Sequence, residues 1–167
     1  MASATLRTRE KKKSAEQAHR CGGGRQRQTW AEFFPSAAIA YVVVSFALTA
    51  PWHFVLFKDL YQGFGLYNRV EPIIPLGVLS MLVQGSVLAL IYPRWYRGGP
   101  PALEGVKFGL ISGMFLFSVS TLANAAKIQV HGLGMFVIVQ AAFHLLQFAV
   151  AGAAMGMIFG RVETKTG

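Results

Sequence analysis

The chain has 167 residues, 53% apolar and 14% charged, with 16 Lys and Arg against 7 Asp and Glu. Eight of those bases and three of those acids fall in residues 1–32, so the other 135 residues share only twelve charges. Soluble domains are about one quarter charged, so a body this poor in charge cannot clothe a water-facing surface. Its hydrophobicity excludes a disordered chain, and Cys21, standing alone, excludes a disulfide scaffold.

The first element in chain order is the basic tail, residues 1–32. Arg7 to Arg27 could serve an anionic lipid surface, a nucleic acid, targeting or topology. The topology reading needs least, because each juxtamembrane Lys or Arg is drawn to acidic lipid by about 1 kcal/mol, and no nucleic-acid partner is expected. The first apolar run is too long for a secretory signal and ends in no small-residue cleavage site. Glu10 and Glu16 weigh against a mitochondrial presequence.

Four windows then lack any charge: 33–57, 72–93, 108–126 and 128–160. A bilayer core takes roughly 20 apolar residues as a helix, and lipid offers backbone amides no partner, which leaves helices as the simple spanning element. The expected fold is an all-α membrane protein, a four-transmembrane-helix bundle over 33–161, with helices near 34–57, 73–92, 104–126 and 134–160 and a short tail at 162–167. His131-Gly-Leu-Gly134 reads as the turn before the last span. With the N-terminus inside, 13 Lys and Arg lie on the cytoplasmic side and 3 (Lys58, Arg69, Lys127) outside, so both termini are expected in the cytoplasm of a bacterial inner membrane. Trp30, Tyr92, Trp95 and Tyr96 on one side, and Trp52, Phe57, Tyr61 and Tyr67 on the other, read as interfacial belts.

The third and fourth spans carry glycine ladders, Gly105, Gly109 and Gly113, and Gly152, Gly156 and Gly160. Small residues at this spacing let membrane helices approach closely. Antiparallel neighbours would pair Gly105 with Gly160, Gly109 with Gly156 and Gly113 with Gly152, or a ladder would face a second protomer. Ser120, Asn124 and Lys127 extend the third helix's ladder face. Gln140, His144 and Gln147 form a cluster centred about 150° or more from the fourth helix's ladder and need partners elsewhere, for which Gln84 is the candidate. Ser80 shares the Gln84 face, and Tyr41, Ser45, Thr49 and His53 form an i, i+4 row on the first span, where Pro51 permits a kink.

These residues define a polar seam: His144, Gln147, Gln140, Gln84, Ser80, Thr49 and His53. Polar residues within the hydrocarbon often mark function, but they also act as interhelical glue, and both readings stand for the seam. Haem between His53 and His144 fits poorly, since their depths differ by roughly 9 Å at 1.5 Å per residue; no spaced metal-ligand set is present, and no cofactor is expected. His53, Lys58, Asp59, Arg69, Glu71, Lys127 and His131 cluster at the outer mouth, either as a ligand site or as solvated loop charges. No nucleophile with a base, CxxC, HExxH or phosphate loop occurs, which points away from an enzyme.

Pro51-Trp-His53 running into Phe57-Lys-Asp-Leu-Tyr61, and Arg69-Val-Glu-Pro-Ile-Ile-Pro75 with Tyr92-Pro93 and Glu104-Gly105 following, resemble a family of small, uncharacterised bacterial four-span integral membrane proteins. The resemblance covers about residues 33–161 and implies a fold and a compartment, with no catalytic residue. The polar seam, and not the resemblance, makes the expected function that of a small-solute transporter or sensor working through it, as a homo-oligomer or with a membrane partner. The alternative is a structural or accessory subunit without transport activity.

Overall fold

The computed structural model describes residues 32–66 and 71–166, the stretch 161–166 for its backbone alone. The basic tail with Cys21 and Trp30, the loop residues Tyr67 and Arg69, and the side chains of Arg161 and Lys165 lie outside the described residues.

The chain runs through α1 (Glu32–Leu56), α2 (Lys58–Gly63), α3 (Ile74–Trp95), α4 (Pro101–Ala125) and α5 (Leu133–Thr166), with no strand among the described residues. All four long helices are long and apolar enough to cross a membrane. Their ends follow local chemistry. Pro sits in the first turn of both α3 and α4, where the missing N–H costs nothing. Glu104 lies in the first turn of α4, near the positive end of the helix dipole, and pairs with Lys107 at 2.7 Å. Between α3 and α4 the chain reverses through Gly98 and Gly99, at φ 100° and 112°, a region that glycine enters without steric cost.

Apolar side chains point outward from every long helix: Val43, Leu79, Phe115 and Ile138 are each more than half exposed. Water would penalise such a continuous coat, whereas hydrocarbon would not.

Helices α4 and α5 pack in direct contact. A Cβ added at Gly105 would strike the Gly152 carbonyl oxygen, one at Gly109 the Phe148 carbonyl, and one at Gly156 the Pro101 carbonyl, so backbone lies directly on backbone. The register differs from the expected pairing by one helical turn. Gly105 lies against Gly156, Gly109 against Gly152 and Gly160 against the Pro101 ring, while Gly113 receives Phe148, whose Cβ stands 2.7 Å from a virtual Cβ there. Two features cause the slip. Helix α4 begins at Pro101, a turn's length earlier than expected, and the notch at Gly113 is filled by an aromatic ring. The contact ends with Phe117 against His144, ring centroids 5.7 Å apart. It follows the i±4 ridge of α5 from Gly160 to His144, as ridge-in-groove packing requires.

α1 meets α3 at Gly85, where a Cβ would sit 3.1 Å from the Ala38 carbonyl and 2.9 Å from the Tyr41 ring. Near the chain ends, Tyr92 packs on Phe159 at 5.4 Å and edge-on to Phe108 at 5.2 Å. The expected aromatic belts are thus largely turned inward. Tyr92, Tyr96 and Tyr61 are buried, and Trp52 and Phe57 pack against the Tyr61–Phe64–Phe136 cluster; Trp95 keeps a more exposed position. The reason at the α2 end is α2 itself, a short helix absent from the sequence expectation, which folds back and carries Tyr61 over the bundle.

The two connections at that end are joined. The His131 amide donates to the Phe64 carbonyl at 3.1 Å, and Gly65, at φ 73°, lies under the His131 ring, which a Cβ would meet at 2.9 Å. Gly65→Ala therefore combines a left-handed backbone with a clash, and is expected to destabilise by about 1 kcal/mol. Thermal unfolding in lipid nanodiscs checks this; an unchanged midpoint would mean that the two connections do not hold each other.

Candidate functional site: a polar seam between two π turns

Two of the spanning helices break their regular ladder near the α2 end. In α1, Trp52–Leu56 forms a π turn, with the Phe57 amide bonded to the Trp52 carbonyl at 3.0 Å. Pro51, immediately before it, has no N–H to continue the α pattern. In α4, Ser118–Leu122 forms a second π turn. The Asn124 side chain donates to the Ser120 carbonyl within it at 2.8 Å, satisfying a backbone group that water cannot reach in lipid. A π turn inserts one residue and redirects the side chains beyond it, and such turns recur at functional sites.

Both breaks meet α5 at neighbouring residues, the first through Trp52 and His53 on Phe143 and the second through Ser120 on His144. The His144 Nδ1 is 2.8 Å from the Gln140 carbonyl and its Nε2 is 3.0 Å from Ser120 Oγ. A carbonyl only accepts, so in the neutral ring Nδ1 carries the proton and Nε2 accepts from the Ser120 hydroxyl. The Tyr61 hydroxyl donates to Gln140 Oε1 at 2.8 Å, so α2 closes the seam from its end of the bundle. His53 bonds through Nδ1 to the Thr49 carbonyl at 3.1 Å, and by the same reasoning its Nε2 is the acceptor. Phe143 stands between the two imidazoles, 4.6 Å from His53 and 5.6 Å from His144, edge-on to both. Among the described residues, no three His, Cys, Asp or Glu converge as metal ligands.

A second polar chain joins α1 to α3. The Tyr41 hydroxyl donates to Gln84 Oε1 at 2.9 Å, and Gln84 Nε2 donates to Ser80 Oγ at 3.1 Å. Gln84 is thus taken by Tyr41 and not by Gln147, because the missing side chain at Gly85 lets the phenol lie along α3 and reach its neighbour. Gln147 is buried on α5. The contacts of Tyr41 with Phe148 and of Trp52 with Phe143 fix α1 antiparallel to α5, which brings Ser45 level with Gln147 and Thr49 level with His144.

The partner of His144 also differs from expectation. An average helical angle sets it far from the glycine row, yet it meets α4 through Ser120. The contact follows the i±4 ridge rather than a line parallel to the axis, and the π turn brings Ser120 to its end. The loop charges of the expected outer cluster, Lys58, Asp59, Glu71 and Lys127, lie on or beside connections and make no ion pair with one another among the described residues.

Four polar atoms of this region are buried without a hydrogen-bond partner: Ser45 Oγ, Thr49 Oγ1, Trp52 Nε1 and Thr121 Oγ1. Ser45 and Thr121 are each 0% exposed. Ser45 Oγ lies beside the Tyr41 hydroxyl without satisfactory bonding geometry. An unsatisfied buried polar atom costs about 1–3 kcal/mol, and hydrocarbon offers no relief. Trp52 and Thr121 were not among the expected seam residues: Trp52 reads in sequence as an interfacial anchor, and Thr121 lies buried within the α4 π turn. Searched against protein-family models, curated proteins and solved structures, the chain matches none.

Proposed function

We propose that this multi-pass protein sits in a bacterial inner membrane with both termini in the cytoplasm, and that it binds a small polar solute in the seam between α1, α4 and α5, as a transporter or sensor and not as an enzyme. The observation that carries the reading is the set of four unpartnered buried polar atoms, Ser45 Oγ, Thr49 Oγ1 and Trp52 Nε1 on α1 and Thr121 Oγ1 on α4. Interhelical glue satisfies its own donors and acceptors; a site for a polar guest leaves some open until the guest arrives. The 13 to 3 division of Lys and Arg supports the orientation, and the resemblance to small bacterial four-span proteins supports the compartment. The accessory-subunit alternative needs only the glycine contact of α4 and α5 and leaves the open atoms without a use.

The test is the double variant His144→Leu, Gln147→Leu, expressed in a host lacking the native copy. It is expected to insert and assemble as the wild type does and to lose the cellular phenotype that the wild type restores. Full restoration of that phenotype by the double variant would sink the solute reading and favour the accessory one.

A further inference from the structure

Thr49, Trp52 and His53 lie on one side of α1 at its π turn, and the Trp52 and His53 rings both rest on Phe143 of α5. Together they offer a hydroxyl without a partner, an indole N–H without a partner, and the His53 Nε2 lone pair that follows from the Nδ1 bond to Thr49. We propose that this triad recognises the solute, and that the solute is small, uncharged and able both to donate and to accept hydrogen bonds. The inference rests on the solute-handling reading above and names its chemical class.

Charge decides the class. No Asp, Glu, Lys or Arg occurs in 33–57, 72–93, 108–126 or 128–160, so an ion entering the seam would shed its hydration and meet no counter-ion. Aromatic faces could hold a cation by their π electrons, but here the faces are occupied by one another. Trp52 packs on Phe57 at 4.6 Å and on Phe143 at 5.6 Å, and His53 packs on Tyr61 at 4.5 Å. A neutral guest meets none of these costs. It can accept from Trp52 Nε1–H, donate to His53 Nε2 and do either with Thr49 Oγ1.

Urea, guanidinium and nitrate are planar, similar in size and differ in charge, so they separate class from shape. The full-length protein is reconstituted in liposomes, and entry of each probe is followed by stopped-flow light scattering, with ionophores compensating charge for the two ions. Binding without passage is read from Trp52 emission in a Trp30→Phe, Trp95→Phe background. Urea is expected to enter faster than into protein-free liposomes, or to shift the Trp52 emission, while guanidinium and nitrate do neither. Thr49→Val is expected to weaken the urea response about tenfold, the loss of one hydrogen bond of roughly 1.4 kcal/mol, and Thr49→Ser to restore it. Helical circular dichroism and a monodisperse elution profile verify that each variant is folded. A response to guanidinium or nitrate in place of urea would overturn the neutral class and leave solute handling intact. A urea response unchanged in folded Thr49→Val would overturn the triad. Silence of all three probes in both measurements would overturn the inference together with the reading it rests on.

Discussion

Gly109→Ala is expected to lower the thermal midpoint of the bundle by about 6–12 °C, the equivalent of roughly 3 kcal/mol for a chain of this size, and Gly109→Ile to prevent assembly altogether. The physical reason is that the obstacle is backbone. A Cβ on Gly109 would strike the Phe148 carbonyl oxygen and stand 3.1 Å from the Gly152 Cα. A flexible side chain could rotate aside, but a carbonyl in a helical ladder cannot, so the helices must separate. Separation forfeits the close packing that holds membrane helices together where burial from water contributes nothing. Gly77→Ala is the matched control. Gly77 also lies within a spanning helix, yet a Cβ there meets nothing within 4 Å, so the change is expected to be neutral or to stabilise by up to about 1 kcal/mol through helix propensity. Equal midpoints for Gly109→Ala and wild type in nanodiscs would contradict the α4–α5 contact.

Gln84→Leu is expected to cost about 2 kcal/mol, second in size among the stability effects. Gln84 bridges the Tyr41 hydroxyl on α1 and Ser80 on its own helix, and Tyr41 is almost completely buried. Leucine fills a similar volume but leaves the phenol without its acceptor. Ser45, beside it, can recover part of that loss. Tyr41→Phe removes the hydroxyl itself and is expected to cost less, because the remaining amide lies on a more exposed surface and keeps Ser80. The double variant should then be little worse than Gln84→Leu alone. A coupling of about 0.6–1.7 kcal/mol in this cycle, the range found for interhelical bonds in membranes, would identify the bond as a tie between α1 and α3; strict additivity would show that the two residues do not interact.

The parts of this molecule legible from sequence were those set by solvent. Lipid excludes charge, so four charge-free windows marked the four spans, and the helices expected from them, 34–57, 73–92, 104–126 and 134–160, end within three residues of Glu32–Leu56, Ile74–Trp95, Pro101–Ala125 and Leu133–Gly160. The glycine rows of α4 and α5 were visible for the same reason: small residues at a fixed spacing have few other uses on a spanning helix. What could not be read was anything that depends on departure from an ideal helix. The one-turn slip of the ladders follows from where Pro101 starts α4 and from Phe148 entering the notch at Gly113. The meeting of His144 with Ser120 follows from a ridge that winds around α5 and from a π turn that no periodicity announces. Pro51 did signal a break in α1, but whether proline yields a kink or a π turn is decided by neighbouring contacts. Helix α2 was hidden because its six residues, Lys58–Gly63, include two charges and read as a polar loop. Its single large contribution, Tyr61, resembled an interfacial anchor and is instead bonded to Gln140.

The most direct measurement asks whether the seam between the π turns is open to water or sealed as a dry joint. With Cys21 replaced by Ser, a single cysteine is placed at Thr49, at the lipid-facing Leu79 or at the exposed Lys58 that opens α2, and each protein is exposed in liposomes to methyl methanethiosulfonate. The reaction requires a thiolate, which forms in contact with water and not in hydrocarbon. Thr49→Cys is expected to react measurably, more slowly than the exposed Lys58→Cys because its side chain is buried in the bundle, and Leu79→Cys to remain unmodified. A Thr49→Cys protein as inert as Leu79→Cys, with Lys58→Cys reacting normally, would mean that the seam is interhelical glue and that no solute reaches it.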